Sequence, residues 1–134
     1  MATVLITDDD RNQRLLYEEE LSYEGYEVVQ AGSGQEAIEM VTAGGIDVVV
    51  LDIAMPGMDG VETLCRILNV DNKMPVVLNT AYSSYKDDFM TWAADAYVVK
   101  SSDLSGLKNQ VAEALKKRGI EPPCAAKESI ADRV

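Results

Sequence analysis

The sequence predicts an α/β protein, a doubly wound parallel sheet of five strands carrying five helices. Three observations point there. Short apolar runs such as Val4-Leu5-Ile6-Thr7 and Val48-Val49-Val50-Leu51 have no polar face, as expected of strands covered on both sides. Stretches of helical period separate these runs, and strand–helix alternation of this length calls for right-handed crossovers. Charge collects where the apolar runs end: Asp8-Asp9-Asp10 after the first, Asp52 after the central one, Lys100 after the last.

Taken in order, Thr3 to Thr7 reads as a strand and Asn12 to Tyr23 as a helix. Leu15, Leu16 and Leu21 give that helix a partial apolar stripe, with Glu18-Glu19-Glu20 in its outer part and Gly25 ending it. Glu27 to Ala31 is a short strand. Gly34 to Ala43 is a helix with Ala37, Ile38 and Val41 inward, stopped by Gly44-Gly45. Ile46 to Leu51 is the central strand, and Asp59 to Leu68 a helix with Val61, Leu64, Cys65 and Leu68 inward. Strand 75–79, helix 84–92, strand 96–99 and helix 104–118 follow. Asp103 suits the N-cap of the last helix, and Lys116-Lys117-Arg118 suits its C-terminal dipole. Glu121-Pro122-Pro123 breaks the pattern. The expected organisation is therefore one domain over 1–118 and a flexible tail or linker stub over 119–134.

Composition narrows the function. The chain has 134 residues, enough for one domain that buries roughly two-thirds of its unfolded surface. Twelve basic against 23 acidic residues leave a net charge of −11, which argues against a nucleic-acid-binding surface. Two cysteines make no disulfide framework, and a reducing cytoplasm fits. The N-terminus runs straight into a strand without a targeting pattern, and no apolar run is long enough to span a membrane. Without histidine, the chain cannot itself carry a phosphohistidine or a histidine base.

If the strands run parallel, the carboxylates at the first and third strand exits meet at one edge. Such a cluster repels itself, and a hard divalent cation is the simplest relief. One of the three adjacent acids, Asp10, is the natural cap of the following helix, leaving Asp8 and Asp9 for metal. Two more strand exits, at Thr80 and Lys100, add a hydroxyl and an ammonium. A phosphoryl group carried on a metal-bound carboxylate would need both as partners.

Four segments together resemble the receiver domain of two-component response regulators. They are Val4-Leu5-Ile6-Thr7-Asp8-Asp9-Asp10, Leu51 to Gly60 with its Met55-Pro56-Gly57-Met58-Asp59-Gly60, Leu78-Asn79-Thr80-Ala81, and Ala94-Asp95-Ala96-Tyr97-Val98-Val99-Lys100. They span residues 3 to about 118, in order and each at a strand exit. The resemblance implies the flavodoxin-like receiver fold with strand order 2-1-3-4-5. It makes Asp52 the phosphoacceptor, fed by a sensor histidine kinase or phosphotransfer protein, with Thr80 and Lys100 assisting. Mg2+, or Mn2+ in its place, would bind Asp9, Asp52 and the backbone carbonyl of Ala54, with Asp8 acting through water. Thr80 and Tyr97 would form the switch that remodels the face of 84–92, 96–99 and 104–118 for a protein target or for a homodimer. Ala54 and Tyr82 stand where the family tunes dephosphorylation; Ala54 offers no hydrogen bond to place an attacking water and Tyr82 is bulky enough to shield its approach, so slow autodephosphorylation is expected.

The chain departs from the family pattern after Lys100, where Ser101 replaces a proline that supports a cis bond. Ala96 stands where the winged-helix transcription-factor class has an acid used in dimerisation. Two other classes of function compete. A phosphorylation-independent adaptor would not need the Asp/Asp/Thr/Lys set. An Asp-nucleophile phosphohydrolase would need an acid two residues after the nucleophile, where Ala54 stands. No DNA-binding, kinase or cyclase domain is recognisable, so output by protein–protein contact is expected, either alone or within a longer regulator.

Overall fold

The computed structural model describes residues 2–52, 60–80, 96–99 and 104–119. Its elements are β1 (Thr3–Thr7), α1 (Arg11–Tyr23), β2 (Glu27–Ala31), α2 (Gly34–Ala43), β3 (Val48–Leu51), α3 (Gly60–Val70), β4 (Val76–Thr80), β5 (Ala96–Val99) and α4 (Ser105–Arg118). The five strands form one sheet in the order β2-β1-β3-β4-β5, and every pairing is parallel. The chain therefore winds outward from β1 in both directions, as the sequence predicts. The expected helix at 84–92 lies outside the described residues, as do Asp103 and residues 120–134 of the expected tail.

Strand alternation splits the core in two. Leu5, Val49, Leu51, Val76 and Leu78 pack with Ala37, Val41, Leu64 and Ile67 of α2 and α3. Val4, Ile6, Val48, Val50 and Val77 pack with Tyr17 and Leu21 of α1 and Leu107, Val111 and Leu115 of α4. Neighbouring residues of one strand thus serve opposite layers, which is why the strand sequences read as unbroken apolar runs. Fully burying each such side chain contributes roughly 1.5–3 kcal/mol.

Several local expectations are corrected. The inner stripe of α1 is Tyr17 and Leu21, whereas Leu15 and Leu16 are 47% and 42% exposed. Tyr17 and Leu21 sit one turn apart on the sheet-facing side, and Leu15 and Leu16 fall off that line. Of the acids assigned to its outer part, Glu18 accepts from the Gln30 amide and Glu20 from Lys108 Nζ at 2.9 Å. Among the described side chains of α3, Thr63, Leu64 and Ile67 are fully buried and Cys65 and Leu68 only half-buried, while that of Val61 lies outside the described residues. Helix α4 begins one residue later than expected, so its N-cap position falls on Leu104, whose apolar side chain can make no cap bond.

Candidate metal centre at the strand exits

The site is built by strand register. Thr7 of β1 lies beside Leu51 of β3 and Ala31 of β2. The ladders run one residue further: Asp52 N donates to Thr7 O at 3.0 Å and Asp8 N to Ala31 O at 3.2 Å. Asp8 and Asp52 are therefore still held by the sheet while their side chains reach its carboxyl edge. They are 2% and 6% exposed, whereas Asp9 is open to solvent. Carboxylate oxygens of Asp8, Asp9 and Asp52 all lie within 4.8 Å of one another.

The third acid of the run is committed elsewhere. Asp10 Oδ1 accepts from Asn12 N at 2.9 Å and Gln13 N at 3.4 Å, capping α1 as expected. Asp10 N in turn donates to Asp8 Oδ1 at 2.9 Å. The side chain of one acid thus orients the next residue but one, and the loop turns within four residues.

Two unit charges 4.8 Å apart repel by about 3 kcal/mol at an effective dielectric of roughly 20, before any counter-charge acts. Three such groups, two of them buried, suit a cation. The donors are all oxygen, with no imidazole or thiolate among them, so the set fits a hard ion such as Mg2+, Mn2+ or Ca2+ rather than zinc. Thr7, the residue before Asp8, is 1% exposed, and its buried hydroxyl has no hydrogen-bond partner.

The other expected site residues are placed by backbone alone or not at all. Leu51 pairs with Leu78 and Thr80 with Val99, so Thr80 ends β4 two residues past the level of Leu51. Tyr97 lies in β5 beside Leu78. The side chains of Thr80 and Tyr97, and all of Ala54, Tyr82 and Lys100, lie outside the described residues.

Sequence reasoning missed Arg14. It is half-buried and in line with the buried stripe of α1, three residues before Tyr17 and seven before Leu21. Its Nη1 donates to Asp8 O at 2.7 Å and its Nε to Gln30 Oε1 at 3.1 Å. A charged residue at helical spacing with two buried apolar ones was the signal available.

Comparison with known proteins bears on the family and the fold. The family model described as the response regulator receiver domain matches residues 4–112. Sporulation initiation phosphotransferase F of Bacillus subtilis (strain 168) is 42% identical over 79 residues, covering 59% of this chain and 64% of that protein. The response regulator protein TrrA of Thermotoga maritima, crystallised in complex with Mg(2+)-BeF, is 43% identical with a TM-score of 0.84, over 86% of this chain and all of that one. A second crystal structure, of the histidine kinase ThkA in complex with TrrA, matches with a TM-score of 0.81 and 43% identity, over 86% of this chain and 99% of that one. The chain spans about half to two-thirds of the length of the first curated relatives it matches, 53%, 64% and 51%.

Proposed function

Because the chain belongs to the response regulator receiver domain family, we propose that it is a signalling module that takes a phosphoryl group onto Asp52 from a phosphohistidine. The observation that carries this reading is the meeting of the Asp8, Asp9 and Asp52 carboxylates within 4.8 Å at the carboxyl edge of a parallel sheet. Ligands bind at that edge in sheets of this kind.

Asp52 is buried, and its nitrogen is bonded to β1, so its carboxylate is held still for in-line approach to phosphorus. A carboxylate oxygen forms the new O–P bond as the N–P bond to the donor imidazole breaks, leaving an acyl phosphate. Mg2+, with Mn2+ as a second candidate, bound to Asp9, Asp52 and the Ala54 carbonyl and reached by Asp8 through water, would supply charge neutralisation for the phosphoryl oxygens. Lys100 pairs with one phosphoryl oxygen and the Thr80 hydroxyl donates to another. Movement of Thr80 lets Tyr97 turn inward, and the face of 84–92, β5 and α4 changes its packing as a population shift. Ala54 offers no group to align a hydrolytic water and Tyr82 is bulky enough to shield its approach, so the phosphorylated form is long-lived.

The module is a phosphoacceptor rather than an enzyme acting on other substrates. It comprises 1–118, with 119–134 as a tail. Its partners are a sensor histidine kinase or phosphotransfer protein upstream and a protein target downstream, with a homodimer through the switched face as an alternative output. The TrrA–ThkA crystal structure supports a kinase partner. The net charge of −11 speaks against nucleic acid. Among the described residues no helix is long and apolar enough to cross a membrane; the setting proposed for the module is the cytoplasm, where the two cysteines stay reduced.

The test is incubation with acetyl phosphate and Mg2+, followed by intact mass. Wild type is expected to gain one phosphoryl group, with Mg2+ and not with chelator, and Asp52→Asn none. An equal gain in the variant would overturn the assignment of Asp52.

A further inference from the structure

We propose that Arg14 is a positioning residue for the acidic pair. Its guanidinium fixes the peptide between Asp8 and Asp9, and thereby sets where both carboxylates stand relative to the bound cation. The proposal rests on the metal-dependent reading above.

The guanidinium is seated by three neighbours. Nη1 donates to the Asp8 carbonyl at 2.7 Å, and Nε donates to Gln30 Oε1 at 3.1 Å. The Gln30 amide is itself anchored by donating to the Glu18 carboxylate. Gly32 leaves room for the planar group: a Cβ there would lie 3.3 Å from Nη1 and 3.6 Å from Cζ. Two different nitrogens are engaged in two directions, so the plane is oriented rather than merely attracted.

The Asp8 carbonyl matters because it belongs to the same rigid plane as the Asp9 nitrogen. A change in ψ of Asp8 or φ of Asp9 that the other does not compensate redirects the chain at this point, and so moves the two carboxylates relative to each other. Asp8 is also held by its N–H to Ala31 and by its Oδ1 to Asp10 N. Neither bond fixes the Asp8–Asp9 plane. Arg14 does, from α1, while Gln30 ties the clamp to β2. The chain Glu18–Gln30–Arg14–Asp8 thus runs from α1 through β2 to the metal loop.

Charge and position predict opposite signs, which makes the idea testable. An arginine serving only as counter-charge competes with a cation, so its removal would tighten Mg2+ binding. An arginine that positions ligands weakens Mg2+ binding when removed, by about tenfold for a group of this kind. The experiment is calorimetric titration of the full chain with Mg2+ for wild type, Arg14→Ala, Arg14→Lys and Gln30→Ala, with thermal unfolding in chelator as the check on folding. Arg14→Ala is expected to bind about tenfold more weakly. Arg14→Lys keeps the charge without the fork and is expected to recover only part of the loss. Gln30→Ala alters no charge and is expected to weaken binding severalfold. The Mg2+ concentration for half-maximal uptake from acetyl phosphate should rise in parallel, with the plateau rate kept. Unchanged or tighter Mg2+ binding in Arg14→Ala overturns the proposal while leaving Asp52 as acceptor if wild type is still phosphorylated. Should Arg14→Ala fail to fold, unchanged affinity in Gln30→Ala overturns it. A wild type that binds no Mg2+ and takes no phosphoryl group defeats the reading of the site itself.

Discussion

At the scale of single residues, the acidic run divides its labour by hydrogen bonding. Asp8 is buried and turned by Asp10 N, Asp9 is free to face solvent, and Asp10 is spent on α1. The sequence could propose that division because adjacent acids cannot all cap one helix. It could not reveal the state of Thr7, since a threonine in a strand is ordinary by propensity. Buried with no partner, its hydroxyl is a local cost of roughly 1–3 kcal/mol. Thr7→Val keeps the shape and the β-branch and removes the orphan. It is expected to stabilise the protein by about 1 kcal/mol in urea unfolding, and a variant no more stable than wild type would count against that view.

At the scale of elements, α1 shows both the reach and the limit of reading patterns. Its span and its cap were legible from Asp10 and from the helical run that follows. Its face was not, because Leu15 and Leu16 are as apolar as Leu21 and only the docking of Tyr17 chooses among them. The helix is also tied to α4 by Lys108, which meets Glu20 at 2.9 Å and Glu24 at 3.8 Å, a pairing no local pattern announces. Capping and metal binding can be separated on this element. Asp10→Ala should cost about 1 kcal/mol of stability by losing the cap, with Mg2+ affinity nearly kept. Asp9→Ala should do the reverse, weakening Mg2+ severely with little loss of stability in chelator. Urea unfolding and Mg2+ titration of the two variants check this, and equal effects on affinity would show the wrong carboxylate had been assigned.

At the scale of the whole molecule, the layer architecture was legible because apolar strands without a polar face leave few alternatives. The strand order was not written in periodicity; it came through the resemblance at the strand exits, and the observed sheet agrees. Register decided the site, since Thr7 opposite Leu51 is what brings Asp8 to Asp52. That pairing has a consequence in time. The two segments are distant in sequence, and parallel strands can only meet after a long loop closes, which makes such contacts late and slow. Asp52 therefore joins Asp8 and Asp9 only when β1 and β3 pair. An ion that recognises all three finds nothing to bind in the unfolded chain, and its free energy falls on the native side of the barrier. Mg2+ is accordingly expected to slow unfolding severalfold and to leave the refolding rate almost untouched. Stopped-flow chevrons with and without Mg2+ measure both limbs, and an accelerated refolding limb would place the assembly of the acidic cluster before the barrier.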